Sequence, residues 1–150
     1  MSNITLDTTP PSASVSALST YQSSLAFSVA WSGSDAASGV ASYDVQVQDS
    51  ATGIWTDWIS ASAATTATFS GQDGYTYAFR ARAHDQVGNS GAYATSDTHT
   101  IIDVTAPVAD TLLINSGATT STAGSVALTV AATDATAGVA QMSFLSLIHI

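Results

Sequence analysis

From Tyr75 to Ala83 the side chains alternate without a break. Tyr77, Phe79, Ala81 and Ala83 share one parity; Thr76, Ala78, Arg80 and Arg82 share the other. Successive side chains on a strand point to opposite faces, so this spacing predicts a half-buried β-strand. Gly71-Gln72-Asp73-Gly74 reads as the turn before it, and Asp85-Gln86-Val87-Gly88-Asn89 as the loop after it. The same period recurs at Leu25, Phe27, Val29 and Trp31. It recurs again at Tyr43, Val45 and Val47, which it turns inward, with Asp44, Gln46 and Gln48 outward. Shorter strands are predicted over 12–18, 54–59, 66–69 and 95–102, with 32–39 and 49–53 as loop and turn. Pro10 and Pro11 cannot donate to a ladder and suit an extended lead-in.

Seven short strands in about 100 residues, with no run of helical period, predict an all-β, immunoglobulin-like seven-strand sandwich over residues 7–102. The chain then echoes itself. Asp103 to Pro107 matches Asp7 to Pro11, Val126 to Val130 matches Phe27 to Trp31, and Thr133 to Val139 matches Ser34 to Val40. Met142 and Phe144 fall where Tyr43 and Val45 fell. A period of about one sandwich predicts tandem modules. Residues 103–150 are therefore expected to be a second immunoglobulin-like repeat, truncated inside its third strand. That leaves Val126, Leu128, Val130, Met142 and Phe144 half-exposed. Leu145 to Ile150 breaks the pattern, reading either as a foreign or frame-shifted tail or as a true edge strand.

Trp31, Tyr43-Asp44-Val45, Tyr77-Ala78-Phe79-Arg80-Ala81-Arg82-Ala83 and the Gly88-Asn89-Ser90 loop together resemble a fibronectin type III-like module of large bacterial secreted or surface proteins. The long Ser/Gly loop after the second strand and the double-Trp strand depart from that pattern. The resemblance implies that Tyr77 is the corner tyrosine, its hydroxyl bonding a backbone group across the preceding turn. It implies that Phe79 stands where antibody-type domains carry a cysteine. It also implies a non-catalytic extracellular repeat, used as spacer or adhesive module.

Composition narrows the partners. The net charge is −9, with eleven Asp, no Glu, no Lys and two Arg. Without a basic patch there is nothing to displace counterions from nucleic acid. The absence of cysteine excludes disulfides and thiolate metal sites. No stretch reaches the roughly 18 apolar residues of a membrane span. The start, Met1-Ser2-Asn3-Ile4, is not a signal peptide, so export would make this chain an interior piece of a longer protein.

The candidate chemistry lies in the aspartates. Nucleophilic catalysis needs a nucleophile, a base and an orienting group, and His84, His99 and His149 are scattered, so no catalytic residue is assigned. In the predicted sandwich the chain start and two loops meet at one pole. They carry Asp7, Asp35, Asp85 and Asn89, a hard-oxygen set suited to Ca²⁺. The alternative is that Asp merely caps turns. At the other pole Asp73 is expected near the Asp103 linker. Trp55 and Trp58 differ by three and should face opposite ways, one into the core and one exposed. Arg80 and Arg82 are expected to pair with Asp44.

These features predict a non-catalytic extracellular or cell-surface module, spacing, displaying or adhering within a larger exported protein. Its expected partners are neighbouring repeats of the same chain and a cell-surface protein or glycan. The alternative is a carbohydrate-binding accessory module of a secreted hydrolase.

Overall fold

A computed structural model describes residues 6–122 and 124–143. The chain divides into two compact units between Val104 and Thr105. The first is a two-sheet sandwich. Its strands are β1 (Ser12–Val15), β2 (Tyr21–Gln22), β3 (Ala26–Ser34), β4 (Val40–Asp49), β5 (Trp55–Ser62), β6 (Thr66–Ser70), β7 (Thr76–Asp85) and β8 (Thr98–Ile102). One sheet has the order β1-β3-β6 and the other β2-β8-β7-β4-β5. All pairs are antiparallel except β2 with β8. This is an all-β sandwich with an immunoglobulin-like strand order.

The alternation reads out directly as burial. Along β7, Tyr77, Phe79, Ala81, Ala83 and Asp85 are buried, and the residues between them are half-exposed. Val15, Val29, Trp31, Tyr43, Val45, Phe69 and Ile102 complete the core. Phe69 holds its aromatic centre, with ring centroids 4.8 Å from Tyr77, 5.1 Å from Phe79 and 5.5 Å from Trp58. These edge-on contacts are the favoured geometry for aromatic pairs. The corner tyrosine is in place: Tyr77 Oη accepts the Gln72 N–H at 2.9 Å. Gly71 is required beside it, because a Cβ there would stand 2.5 Å from the Tyr77 ring.

Several boundaries differ from the periodic reading. The strand predicted over 12–18 stops at Val15, because the chain changes sheets before running beside β8 as β2. Leu25 lies outside β3 and is exposed. β3 runs on to Ser34, into the predicted loop, because β1 pairs with it there through Ser12↔Ser34. β7 extends two residues past Ala83, and β8 begins at Thr98 rather than Thr95. Asp44 faces away from the core yet is only 9% exposed, covered by neighbours on its own face.

The second unit contains β9 (Val108–Ile114), a short 3₁₀ turn (Asn115–Gly117) and β10 (Leu128–Thr133). β9 and β10 form a two-stranded antiparallel ladder. Among the described residues no strand covers 139–143, where a third was expected; Met142 is 47% exposed. Phe144 and the 145–150 segment lie outside the described residues.

Candidate functional site

The acidic pole forms where β7 ends. Asp85 is the last residue of β7, Asp35 follows β3 directly, and Asp7 lies on the lead-in before β1. One carboxylate oxygen from each falls within 4.8 Å of the other two. Local turns aim these side chains. Asp35 Oδ2 accepts the N–H groups of Ala37 and Gly39 at 3.0 and 2.8 Å. Gly39 has φ +82°, a conformation natural to glycine. Asp85 Oδ1 accepts from Val87 and Asn89 at 3.0 and 2.8 Å. Asp7 accepts from Thr9 at 3.0 Å and, across the pole, from the Ser38 N–H at 2.9 Å.

These donors keep the pole charged. Burial pushes the Asp85 carboxyl up, but the Asn89 side chain and the surrounding N–H groups outweigh it and hold the carboxyl below its ordinary value. Asp7 is likewise lowered, first by the nearby Ser38 hydroxyl and then by the Thr9 N–H. Asp35 Oδ1 is buried and, among the described residues, has no hydrogen-bond partner.

Asn89 sits at the pole with Asp7 and Asp85. Its amide nitrogen donates to Asp85 Oδ2 at 2.7 Å and to the Asp7 carbonyl at 3.3 Å, so it ties the pole together as a donor. Three carboxylates, those of Asp7, Asp35 and Asp85, are brought close enough together to share a divalent cation. Asp35 Oδ1, without a hydrogen bond among the described residues, is an oxygen open to such an ion.

The outer face of β4 and β7 carries a second polar network. Arg82 Nη2 meets Asp44 Oδ2 at 2.7 Å, the ion pair expected from the sequence. Arg80 does not join it. Its Nε donates to Gln46 Oε1 at 2.9 Å, the residue paired with it across β4 and β7, and its guanidinium lies 4.2 Å from the Trp55 ring. Tyr93 lies 5.0 Å from the Arg80 guanidinium and 4.8 Å from that of Arg82. Trp58 faces the core, so the two tryptophans do point opposite ways. Trp55, however, is half-buried under Arg80 rather than freely exposed.

Sequence reasoning missed a Ser–His–Asp chain on this face. His84 Nδ1 is 2.8 Å from Ser90 Oγ, and its Nε2 is 2.8 Å from Asp44 Oδ2. Nothing in the local sequence marks it; the turn after β7 folds Ser90 back to bridge His84. This matches the bond order of an activated nucleophile. The same carboxylate oxygen also serves Arg82, and Asp44 Oδ1 accepts the Ala61 N–H at 2.8 Å, so the group acts as a brace across three strands. Burial raises the Asp44 carboxyl, but Ala61, His84 and Arg82 together bring it down to about 2. Ala61 has φ +49°, a strained value for alanine, and its bond to Asp44 holds the irregular β4–β5 register in place.

At the opposite pole Asp73 Oδ1 accepts the Val104 N–H at 2.9 Å, so Asp73 does reach the linker.

No family model matches the chain, and no curated protein matches it. Among solved structures it is similar to the twitchin kinase region from C. elegans (Fn31-NL-kin-CRD-Ig26), with 23% identity and a TM-score of 0.42. That likeness covers 53% of this chain and 14% of the twitchin fragment.

Proposed function

We propose that this chain is a non-catalytic, fibronectin type III-like repeat of a larger exported protein, serving outside the cell as a spacer, display or adhesion element. One observation carries the reading: the chain comes into the sandwich at one end of β7 and leaves at the other. Asp7 is held at the Asp85 pole, and Val104 is held by Asp73 just before β7 begins. Ten strand residues separate these poles by about 30 Å. Entry and exit at opposite ends suit a module strung in series, and the Asp-x-x-x-Pro lead-in recurs at Asp103 to Pro107 where the next module would start.

In this reading Ca²⁺ occupies the pole formed by Asp7, Asp35 and Asp85 and stiffens it. Two carboxylates kept ionised beside a third, with one buried oxygen unsatisfied, support that role. The carbohydrate-binding alternative draws no support from Trp55, whose ring is occupied by Arg80.

Small-angle scattering from tandem copies of residues 7–107 tests the spacer. The maximum dimension should grow by about 30 Å or more per copy, and a compact, slowly growing particle refutes the reading. Thermal melting of the chain in EDTA, millimolar Ca²⁺ or millimolar Mg²⁺ tests the pole. A rise of several degrees specific to Ca²⁺ is expected, since an ion bound only by the folded state stabilises it. Equal melting in all three removes the calcium role and leaves a plain spacer.

A further inference from the structure

Of the eleven aspartates, Asp73 alone is followed by glycine. That pair has a chemistry of its own. A backbone amide can attack the side-chain carboxyl of the residue before it and close a five-membered ring. A Cβ on the attacking residue hinders the approach, and glycine has none. Asp73 and Gly74 form the tip of the turn before β7, where the Tyr75 N–H reaches Gln72 O at 3.4 Å. Gly74 has φ +78°, and the space where its Cβ would stand is empty. Both residues are exposed, so water reaches the bond between them.

Both reacting groups are nevertheless held, and by the same piece of chain. The nucleophile is the Gly74 nitrogen, whose N–H donates to Ile102 O at 2.8 Å. The electrophile is Asp73 Cγ, whose Oδ1 accepts the Val104 N–H at 2.9 Å. Ile102 is the last residue of β8 and has no solvent exposure. Val104 follows two residues later, where the chain leaves the sandwich. Ring closure needs the Gly74 amide proton released and the Asp73 carboxyl turned away from Val104. Neither happens while the exit segment lies against the turn. When that segment lifts, both bonds open together and a water-exposed Asp–Gly bond remains.

We propose that Asp73–Gly74 is a self-modification site: it converts to isoaspartate when the exit segment, Ile102 to Val104, leaves the turn, and so records that release in the covalent chain. In the first step the Gly74 nitrogen gives its proton to solvent and bonds to Asp73 Cγ, and the carboxyl hydroxyl leaves as water. In the second step one water adds to the succinimide. Opening at the side-chain carbonyl restores aspartate. Opening at the main-chain carbonyl leaves the chain running through Cβ and Cγ. One water leaves and one enters, so the mass is unchanged and no co-reactant is consumed. The converted chain is one carbon longer between Gln72 and Gly74, in the corner where the Gln72 N–H meets Tyr77 Oη. One of the two carboxylate oxygens that faced Val104 is lost and the other becomes a main-chain amide oxygen, so the exit segment cannot redock in its old register. The proposal rests on neither the spacer reading nor the calcium role.

The test ages the full chain at physiological temperature and neutral pH, folded and in denaturing urea, and counts isoaspartate at Asp73 by electron-transfer fragmentation. The folded chain should convert about tenfold more slowly than the unfolded one, as expected when two hydrogen bonds must open together. Val104→Pro removes the donor to Asp73 and should speed conversion of the folded chain several-fold. Asp97→Ala weakens the sandwich through β1 and β7, not through the turn, and should leave the rate unchanged. The converted chain, once isolated, should exchange the Val104 amide faster while the Ala81 amide stays protected. Equal conversion of folded and unfolded chains overturns the proposal, as does a Val104→Pro rate equal to wild type. An Asp97→Ala rate as high as that of Val104→Pro makes global unfolding the route and overturns it too. Unchanged exchange at Val104 after conversion shows that nothing is recorded, with the same result.

Discussion

The carboxylate of Asp97 accepts the Ala81 N–H at 2.8 Å. The same oxygen accepts the Val15 N–H at 2.9 Å, so one side chain ties the end of β1 to the middle of β7 before β8 has begun. Ala81 has no solvent exposure, and its N–H has no water to fall back on. Asp97→Ala should therefore cost about 2–4 kcal/mol, the range for losing charge-assisted bonds and stranding their donors. Urea unfolding checks this, as a lowered midpoint at unchanged slope. Asp97→Asn keeps an acceptor and should lose less.

Tyr77→Phe removes the acceptor of the Gln72 N–H while leaving the ring against Phe69. The expected loss is about 1–2 kcal/mol. A midpoint equal to wild type would show that water replaces the hydroxyl and that the corner contributes nothing.

Asp44 predicts the acid limb of stability. Its folded value, about 2, lies below the ordinary 3.8, so protonation favours the unfolded chain. The stabilisation is complete above about pH 4 and is lost as the pH falls toward 2, roughly 2 kcal/mol in all. Asp7 and Asp85 shift in the same direction and should steepen the decline. Asp44→Asn should flatten it, as read from denaturant midpoints between pH 5 and 2.

Trp55 should not report glycans. With Arg80 4.2 Å from its ring, a sugar would have to displace a cation to stack there. Titration of soluble oligosaccharides should leave tryptophan fluorescence without a saturable change. A saturable quench that Trp55→Ala removes would instead favour the accessory-module reading.

Much of the fold was legible because its strands bury one face. The alternation in Phe27 to Trp31, Tyr43 to Val47 and Tyr77 to Ala83 fixed both the elements and their inward residues. The pole formed by Asp7, Asp35 and Asp85 was legible for a related reason: sandwich topology places those loops together whatever their detailed conformations. Features with no period were not legible. β2 is two residues long and gains its place from β8, not from its own pattern. Asp97 and Ser90 act across spans of 82 and 6 residues, and nothing in their local sequence marks the partner. Arg80 was assigned to Asp44 on charge alone, whereas register sets Gln46 directly opposite it.

The parallel pairing of β2 with β8 gives the module a mechanical character. Suppose the chain is pulled from the Asp7 and Val104 poles. β2 is then drawn toward one pole and β8 toward the other, along their length. The Ile101 N–H to Thr20 O bond, the Asp103 N–H to Gln22 O bond and the Thr100 hydroxyl on Ser19 O stand crosswise to that pull. They are loaded in shear and must fail together, whereas an antiparallel pair opened from its end would unzip one bond at a time. A few short bonds at this seam thus set the force at which the sandwich yields, far from the large aromatic core that sets its equilibrium stability.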